Sequence, residues 1–362
     1  MNTNIYETKN FFFHLTPDVV IQAIEKGGLS PTGHCMVLNS YENRVYDLKL
    51  EDDSHVISKF YRPGRWTREQ ILEEHAFLLE LQKDEIPVCA PMYFPDGKTL
   101  HEIDGIFYAL WPRTGGRMPD EPSDEVLRML GRLLARIHNN GAAKKAVERS
   151  ELTGETYGLE PLVYLEEKNL LPEHCKDRYV NAVKKIVEIY ESLRKNIPFH
   201  RIHGDCHLGN LLNGRDGWFF LDFDDFLTGP AVQDIWMLVP ARDQEGLRQR
   251  NILIEAYRVF RDFDSSWLTL IEPLRALRYI RYAAWIAKRW DDPAFPAAFP
   301  HFGTVQYWEN ETSDLEGQLE FIYENSNKDL PYNLQRAEEE KHDGEELSNK
   351  DFFWDWEEEK NT

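Results

Sequence analysis

The segment from His203 to Asp225 constrains the fold of this chain more than any other part of the sequence. It reads His-Gly-Asp-Cys-His-Leu-Gly-Asn from position 203, then two short apolar runs separated by Asn213-Gly214, and then Leu-Asp-Phe-Asp-Asp from position 221. The glycines favour a loop around the first aspartate, and an Asn-Gly turn between apolar runs is typical of a β-hairpin. We expect this hairpin to bring the second acidic group back beside the first loop.

The polar groups of this segment suit phosphoryl transfer. That reaction needs a carboxylate that accepts or orients a hydroxyl proton, and oxygen ligands that hold Mg²⁺ against the phosphates. Asp205 is followed five residues later by Asn210, a spacing that also occurs in the protein-kinase catalytic loop, and Asp222 ends an apolar strand. The pattern predicts Asp205 as catalytic base and Asn210 as a metal ligand. It predicts Asp222 as the catalytic carboxylate and principal metal ligand, bridging the phosphates.

Two other interpretations remain open on these residues alone. The first is that Gly204-Asp205 forms an ordinary turn and that 222–225 is a solvated loop. The second is a hydrolase metal site of His203, Asp205 and His207, because alternating residues share one face of a strand. The glycines fit a loop better than a strand, and no further histidine cluster completes such a site.

Length and composition limit the class of protein. A chain of 362 residues, 42% hydrophobic and 13% aromatic, is long enough for two lobes with packed cores. The formal net charge of −21 argues against a nucleic-acid partner and against anionic membranes. No apolar run is long enough to span a bilayer, the first residues lack a signal-peptide pattern, and the four cysteines form no Cys-x-x-Cys pair. We therefore expect a cytoplasmic protein with reduced thiols.

The first third of the chain has strand patterns around a single helix. The segments 38–49, 56–61 and 103–111 are rich in β-branched and aromatic residues. Thr67 and Gln70 form the sequence pattern of a capping box, which predicts a helix that begins there. Helical patterns dominate after Pro112, and one of them begins after Ser123 and ends at Asn139-Asn140-Gly141.

These patterns predict an α+β fold of two lobes. The predicted divisions are a small β-rich N-terminal lobe over 1–112 that binds nucleotide, a larger, mainly helical lobe over 113–330 that carries catalysis and substrate binding, and a flexible acidic and aromatic tail over 331–362.

Several separated motifs resemble one enzyme superfamily. His-Gly-Asp-x-x-x-x-Asn followed by hydrophobic-Asp-x-Asp-Asp resembles the aminoglycoside phosphotransferase and choline kinase superfamily. Further segments, from Asn39 to Trp308, resemble the stress response kinase A family within it: Ser40–Tyr46, Lys59–Pro63, Gln70–His75, Gly229–Asp234, Ile271–Ala276 and Asp292–Pro296. The resemblance implies a protein-kinase-like fold and a monomeric, Mg²⁺-dependent serine/threonine kinase that uses ATP in a stress response.

The same resemblance implies roles for residues of the N-terminal lobe. Lys59 would contact the α- and β-phosphates of ATP. Its helical partner would be Glu74, which has an apolar stripe beside it, with Glu73 as the alternative. The other implied nucleotide-binding residues are a phosphate loop without the usual glycines, Ser40, Tyr41, Glu42 and Asn43, and an adenine-binding hinge, Leu110 and Trp111.

One further residue, Asp234, resembles a buried aspartate that braces the catalytic loop through backbone amides.

Three functions are compatible with these residues. The first is a kinase that phosphorylates protein Ser or Thr hydroxyls, and the extent of the resemblance favours it. The second is a kinase for a small-molecule alcohol, such as an aminoglycoside or a choline-like amine, with the same catalytic residues. The third is a pseudokinase that only binds, which is disfavoured because Lys59, Asp205, Asn210 and Asp222 are all present.

Overall fold

A computed structural model of the protein describes residues 11–38, 40, 42–118, 121–215 and 217–326. Tyr41 and the tail over 331–362 lie outside the described residues, so the predictions made for them stay predictions. The described chain forms two compact units. Unit 1 comprises 11–118, 146–149 and 210–225, and unit 2 comprises 121–145, 150–209 and 226–326. The boundary predicted near Pro112 stays a prediction.

The strands of the described residues belong to three antiparallel sheets. Unit 1 holds a five-stranded sheet of order β1-β2-β3-β5-β4 and a three-stranded sheet of order β6-β8-β9, whereas unit 2 holds the pair β7 and β10. The strands are β1 Pro31–Leu38, β2 Arg44–Leu50, β3 His55–Phe60, β4 His101–Ile103, β5 Ile106–Pro112, β6 Gly116–Arg117, β7 Phe199–Ile202, β8 Leu211–Gly214, β9 Gly217–Phe220 and β10 Leu227–Pro230.

The α-helices lie mostly in unit 2. In chain order they are α1 Pro17–Lys26, α2 Arg68–Lys83, α3 Asp124–Ala143, α4 Glu160–Glu167, α5 Glu173–Leu193, α6 Ala231–Leu238, α7 Gln244–Tyr257, α8 Ile271–Lys288, α9 Ala294–Ala298 and α10 Val305–Ser326. Among the α-helices that the structure describes, α1 and α2 belong to unit 1 and the others to unit 2. The α+β fold, with a β-rich N-terminal part and a mainly helical C-terminal part, is therefore confirmed. No helix in the described part of the chain has the length and apolarity that crossing a membrane requires.

Strand β3 is the middle of the five-stranded sheet and carries Lys59. Lys59 pairs with Val45 of β2 on one side and with Ala109 of β5 on the other. The next residue, Phe60, is fully buried and stacks on Tyr108 at a centroid distance of 5.2 Å. Because both neighbouring strands fix the backbone of β3, the lysine projects from a rigid support.

Helix α2 begins where the sequence predicted. The hydroxyl of Thr67 accepts the backbone N–H of Gln70 at 3.2 Å, and the Gln70 side chain accepts the backbone N–H of Thr67 at 2.9 Å. This capping box satisfies amides that the first turn of a helix leaves without partners.

Helix α3 continues past the end predicted for it. Ser123 caps its N-terminus as expected, but the helix runs through Asn139-Asn140-Gly141 to Ala143, so the predicted end was wrong. Gly141 is buried, and a Cβ built on it would lie 2.1 Å from the carbonyl oxygen of Arg201. The glycine therefore permits close approach of strand β7 rather than ending the helix.

Unit 2 is built around helix α8. Helices α4, α5 and α10 all pack against α8, and α3 packs along α7. Most of the side chains of α8 are buried, including Arg275 and Arg278. Helix α8 thus carries buried cations through the interior of unit 2, where each needs a compensating partner.

Candidate active site

In unit 1, Lys59 lies among three carboxylates. Its Nζ is 3.0 Å from Asp222 Oδ1, 3.1 Å from Asp224 Oδ1 and 3.8 Å from Glu74 Oε1. Burial alone would lower the pKa of Lys59, but the three carboxylates outweigh burial and raise this pKa well above its usual value. Lys59 is therefore a fixed cation held against the strand-end aspartate.

Glu74, and not Glu73, faces the lysine. Its side chain is 1% exposed, and burial raises the pKa of Glu74 to about 7 against the opposing effect of Lys59. The carboxylate of Glu73 instead accepts backbone N–H groups from the segment 147–149. Since Leu78 and Leu81 are buried on the same helix, the apolar stripe places Glu74 on its inner face.

The predicted hairpin forms in unit 1 and brings two of the candidate residues together. Its predicted turn at Asn213-Gly214 was wrong, because both residues lie within strand β8 and the chain turns after them. Strands β8 and β9 pair from Leu211 with Phe220 to Gly214 with Gly217. Beyond this pairing, the N–H of Leu221 donates to the carbonyl oxygen of Asn210 at 2.8 Å. Asn210 and Asp222 thus flank the open end of the hairpin.

The backbone of Asp222 adopts a left-handed conformation. Its φ is +51°, which costs a residue other than glycine about 1 kcal/mol. Its side chain is 53% exposed, while the neighbouring Asp224 is 3% exposed. A strained and exposed carboxylate at the end of a strand is typical of a binding site rather than of a packed core.

Asn210 and Asp222 offer the donors that Mg²⁺ prefers. One supplies an amide oxygen and the other a carboxylate, and nucleotide phosphates and water commonly complete the coordination of this ion. Among the described residues, no three His, Cys, Asp or Glu side chains gather into a metal site. An amide oxygen and a carboxylate are a donor set that fits a magnesium ion.

Two residues of the predicted phosphate loop contact the same ionic cluster. The Asn43 amide donates to Asp224 Oδ2 at 3.3 Å, and its Oδ1 accepts the backbone N–H of Arg62 at 3.1 Å. Glu42 Oε1 lies 3.2 Å from Arg62 Nε and 3.5 Å from Arg65 Nη1. These contacts hold the loop against Arg62, Arg65 and Asp224 within unit 1.

A third residue of this loop, Ser40, accepts the backbone N–H of Asn43 at 3.4 Å through its Oγ. This contact closes a turn, so the hydroxyl shapes the loop. Tyr41, the remaining residue of the predicted phosphate loop, lies outside the described part of the chain.

The two predicted hinge residues point into different parts of the core. Leu110 pairs with Ser58 and packs in the cluster that contains Phe60, and Trp111 pairs with Ile57 on the other face of the sheet. The Trp111 ring centroid is 5.6 Å from Lys59 Nζ. Trp111 therefore packs beside the lysine, and adenine binding by this pair stays a prediction.

In unit 2, Asp205 lies beside cationic and imidazole groups. Its Oδ1 is 2.9 Å from Arg278 Nη2, and its Oδ2 is 3.4 Å from His207 Nε2. Burial alone would raise the pKa of Asp205, but Arg278 and His207 outweigh it and hold this pKa far below its usual range. Asp205 is therefore ionised throughout the physiological range.

The loop that carries Asp205 is fixed by Asp234. Asp234 accepts the backbone N–H of His203 at 2.8 Å and that of Gly204 at 2.9 Å. His138 Nε2 lies 2.9 Å from Asp234 Oδ2, and its Nδ1 lies 2.9 Å from the hydroxyl of Tyr257. Burial raises the pKa of Asp234 to about 6 and lowers that of His138 well below its usual value. The brace anticipated at Asp234 is thus a buried network of hydrogen bonds.

Sequence reasoning missed the cations that neutralise these acids. Arg65 Nη1 lies 2.6 Å from Asp224 Oδ2, and Arg149 Nη2 lies 3.3 Å from Glu74 Oε2. Arg149 and Arg278 are far along the chain from the acids that they contact. The three arginines that interrupt the apolar segment 271–288 could have signalled Arg278, and the sequence shows no comparable signal for Arg149.

A family model described as "Phosphotransferase enzyme family" matches residues 34–269 of the chain. Stress response kinase A of Escherichia coli (strain K12) is 40% identical over 314 residues, covering 86% of this chain and 95% of the relative. The serine/threonine protein kinase RdoA of Salmonella typhimurium (strain LT2) is 39% identical over 325 residues, covering 90% and 97%.

Solved structures support the fold. Amicoumacin kinase hAmiN in complex with AMP-PNP, Ca²⁺ and Ami matches with a TM-score of 0.66 at 19% identity, covering 87% of this chain and 96% of the other. A microcompartment-associated aminopropanol kinase matches with a TM-score of 0.64 at 18% identity, covering 86% and 98%. The family, the fold and the enzyme class predicted from the motifs are confirmed. The chain belongs to the phosphotransferase enzyme family and, within it, to the stress response kinase A family of serine/threonine protein kinases.

Proposed function

We propose that this protein transfers the γ-phosphate of Mg-ATP to serine or threonine hydroxyls of a protein in the cytoplasm, as part of a stress response. The observation that carries the proposal is the position of Lys59, which is buried on a central strand and held 3.0 Å from the exposed strand-end carboxylate of Asp222. A cation and a metal-binding carboxylate at one place are what a nucleotide phosphate chain requires.

Each residue of unit 1 has one task in this proposal. Lys59 contacts the α- and β-phosphates, and Glu74 keeps the lysine oriented and charged. Asn210 and Asp222 hold Mg²⁺, which, when bound, neutralises negative charge on the phosphates. Asp224 remains with Lys59 and Arg65 as a structural anion, because it is 3% exposed and both cations already contact it.

Asp205 acts on the acceptor. As an ionised carboxylate it accepts a hydrogen bond from the attacking hydroxyl and orients that oxygen towards phosphorus. Arg278 makes Asp205 a weak base, which suits a loose transition state in which little charge develops on the hydroxyl.

Arg278 also bears on the choice of acceptor. A guanidinium 2.9 Å from the proposed base repels a second cation placed beside that base. A neutral serine or threonine hydroxyl meets no such repulsion, whereas a protonated aminoglycoside or choline-like amine does. This contact favours the protein acceptor over a cationic small molecule.

Transfer of label from [γ-³²P]ATP tests the proposal. The purified protein is given either a generic protein acceptor, dephosphorylated casein, or a panel of amino alcohols and neutral sugar alcohols, each with and without Mg²⁺. We expect Mg²⁺-dependent label on serine and threonine of the protein acceptor. Rapid turnover of one small alcohol with no labelled protein would overturn the choice of acceptor.

A further inference from the structure

Residues 146–149 belong to unit 1, although the chain on either side of them belongs to unit 2, and they pack against helix α2. The Glu73 carboxylate accepts three successive backbone N–H groups from this segment, those of Val147 at 2.5 Å, Glu148 at 2.8 Å and Arg149 at 2.8 Å. In return, the Gln70 side chain donates to the carbonyl oxygen of Glu148 at 3.0 Å. Residues 146–149, which we term the clip, are therefore bonded to two successive turns of α2.

The side chain of Arg149 continues from the clip into the ionic cluster. Its Nε donates to the carbonyl oxygen of Gln70 at 2.9 Å, and its Nη1 donates to the backbone carbonyl oxygen of Asp224 at 2.6 Å. Its Nη2 lies 3.3 Å from Glu74 Oε2, and its Cζ lies 4.0 Å from the ring centroid of Trp66. Arg149 is 5% exposed, so these bonds form away from bulk water and are correspondingly strong.

The two oxygens of Glu74 face two different cations. Oε1 lies 3.8 Å from Lys59 and Oε2 lies 3.3 Å from Arg149. Since a buried carboxylate that loses one of two partners is left partly uncompensated, Glu74 depends on Arg149 as well as on the lysine. Arg149 also holds the backbone next to Asp222, through the carbonyl oxygen of Asp224.

We propose that the clip fixes α2 against the acidic strand end, and that Arg149 is the positioning residue that holds Glu74, and through it Lys59, in place for ATP. The inference rests on the proposed function, because it gives Lys59 the task of binding nucleotide phosphates. Arg149 itself contacts neither substrate nor reacting atoms. Its effect is on the affinity for ATP and not on recognition of the acceptor.

The first experiment compares Arg149→Met, Arg149→Lys and the control Arg132→Met, whose side chain is exposed on α3. We expect Arg149→Met to raise the KM for ATP about tenfold, because it removes the guanidinium from a buried carboxylate and two carbonyl oxygens. The KM for the protein acceptor stays within about twofold. Arg149→Lys recovers part of the loss, since an ammonium keeps the charge but lacks the planar fork. Arg132→Met matches wild type.

The second experiment tests the backbone part of the clip. Glu73→Gln replaces one acceptor oxygen by an NH₂ group that faces backbone donors, and the exposed Glu69→Gln on the same helix is its control. We expect hydrogen exchange at the amides of Val147, Glu148 and Arg149 to accelerate about tenfold in Glu73→Gln alone, with a smaller rise in the KM for ATP.

The outcomes separate the clip from the proposed function. A wild-type protein that is not stabilised thermally by Mg-ATP would overturn the proposed function. A wild type that binds Mg-ATP, together with a folded Arg149→Met that binds it equally tightly, would overturn the clip alone. An equal rise in the KM for ATP and in the KM for the acceptor in Arg149→Met, with no recovery in Arg149→Lys, would also overturn the inference. Arg149 would then have only a general structural role.

Discussion

The cluster around Lys59 in unit 1 and the cluster around Asp234 in unit 2 are held together by different physical means. In unit 1, the acids around Lys59 are balanced by full charges, with Arg65 and Arg149 completing the set. In unit 2, Asp234 is held by backbone N–H groups and by His138, a histidine whose pKa burial lowers well below its usual value. The first cluster is built from ion pairs, and the second is built mainly from hydrogen bonds.

The difference follows from what each cluster has to do. In the proposed function, unit 1 accepts a polyanion. Its cations then need acids that hold them in place before the ligand arrives, and the cluster reaches solvent at the exposed Asp222. Asp234 is fully buried and its bonded partners are backbone and buried side chains, so it only has to fix a loop. Ion pairs prepare the Lys59 cluster for binding, and hydrogen bonds give the Asp234 cluster its positioning role.

The largest expected effect is on turnover. Asp205→Ala and Asp222→Ala should each lower kcat by roughly a thousandfold, since each removes a group assigned to the reacting atoms. Only Asp222→Ala should also weaken the binding of Mg-ATP, measured by titration calorimetry. The exposed Asp177→Asn serves as the control. Near-normal turnover in Asp205→Ala would refute the assigned base, and unchanged Mg-ATP affinity in Asp222→Ala would refute the metal ligand.

The second effect is on the stability of the ionic cluster. Asp224→Ala leaves Lys59 and Arg65 without one of their buried partners, and breaking such a pair from one side costs about 3 kcal/mol. Urea unfolding measures this loss, with Asp177→Asn again as control. A loss below about 1 kcal/mol would contradict this prediction. It would show that Lys59 and Arg65 become hydrated or pair with other groups once Asp224 is removed.

Much of this arrangement was open to prediction because it is local in sequence. The capping box at Thr67, the hairpin that joins Asn210 to Asp222 and the inward face of Glu74 each follow from spacing over a few residues. Periodicity and turn chemistry act over that range, so the sequence encodes them directly.

The partners of the acids were not open to prediction in the same way. Arg149 and Arg278 reach Glu74 and Asp205 from distant segments, and Glu73 binds a backbone segment that has no side-chain signature. Such pairings depend on how the chain packs, which propensity and spacing do not specify. The end predicted for α3 was wrong for the same reason. Gly141 lies within the helix, where the absence of a side chain allows strand β7 to approach closely.

The third effect concerns the hydrogen-bond network around Asp234. His138→Phe keeps an aromatic ring of similar size but removes the partner of the Tyr257 hydroxyl and one partner of Asp234. Leaving buried polar groups without partners costs about 2 kcal/mol. Urea unfolding at pH 7 measures it, with the exposed His14→Phe as control. A His138→Phe variant that is as stable as wild type would contradict this prediction and would show that the network orients the loop without stabilising the folded protein.

The effect that is smallest at pH 7 comes from His200, and it appears as a change in the pH dependence of stability. This side chain is 6% exposed, its ring centroid is 4.9 Å from that of His138, and neither ring nitrogen has a hydrogen-bond partner among the described residues. Burial, with smaller contributions from His138 and Arg261, lowers the pKa of His200 to about 2. The folded state therefore lacks a proton that the unfolded state binds below pH 6.5.

The sign of the His200 effect follows from proton linkage. As pH falls below 6.5, the unfolded state gains a proton at this site that the folded state does not, so His200 lowers the free energy of unfolding by about 1.4 kcal/mol per pH unit. Asp234, whose pKa burial raises to about 6, works in the opposite direction between about pH 4 and 6. Because His200→Phe leaves Asp234 in place, the difference between variant and wild type isolates the histidine. That difference, from urea unfolding between pH 7.5 and 4.5, should grow in favour of the variant as pH falls. A difference that stays constant with pH would mean that His200 is hydrated and takes up a proton in the folded protein as readily as in the unfolded one.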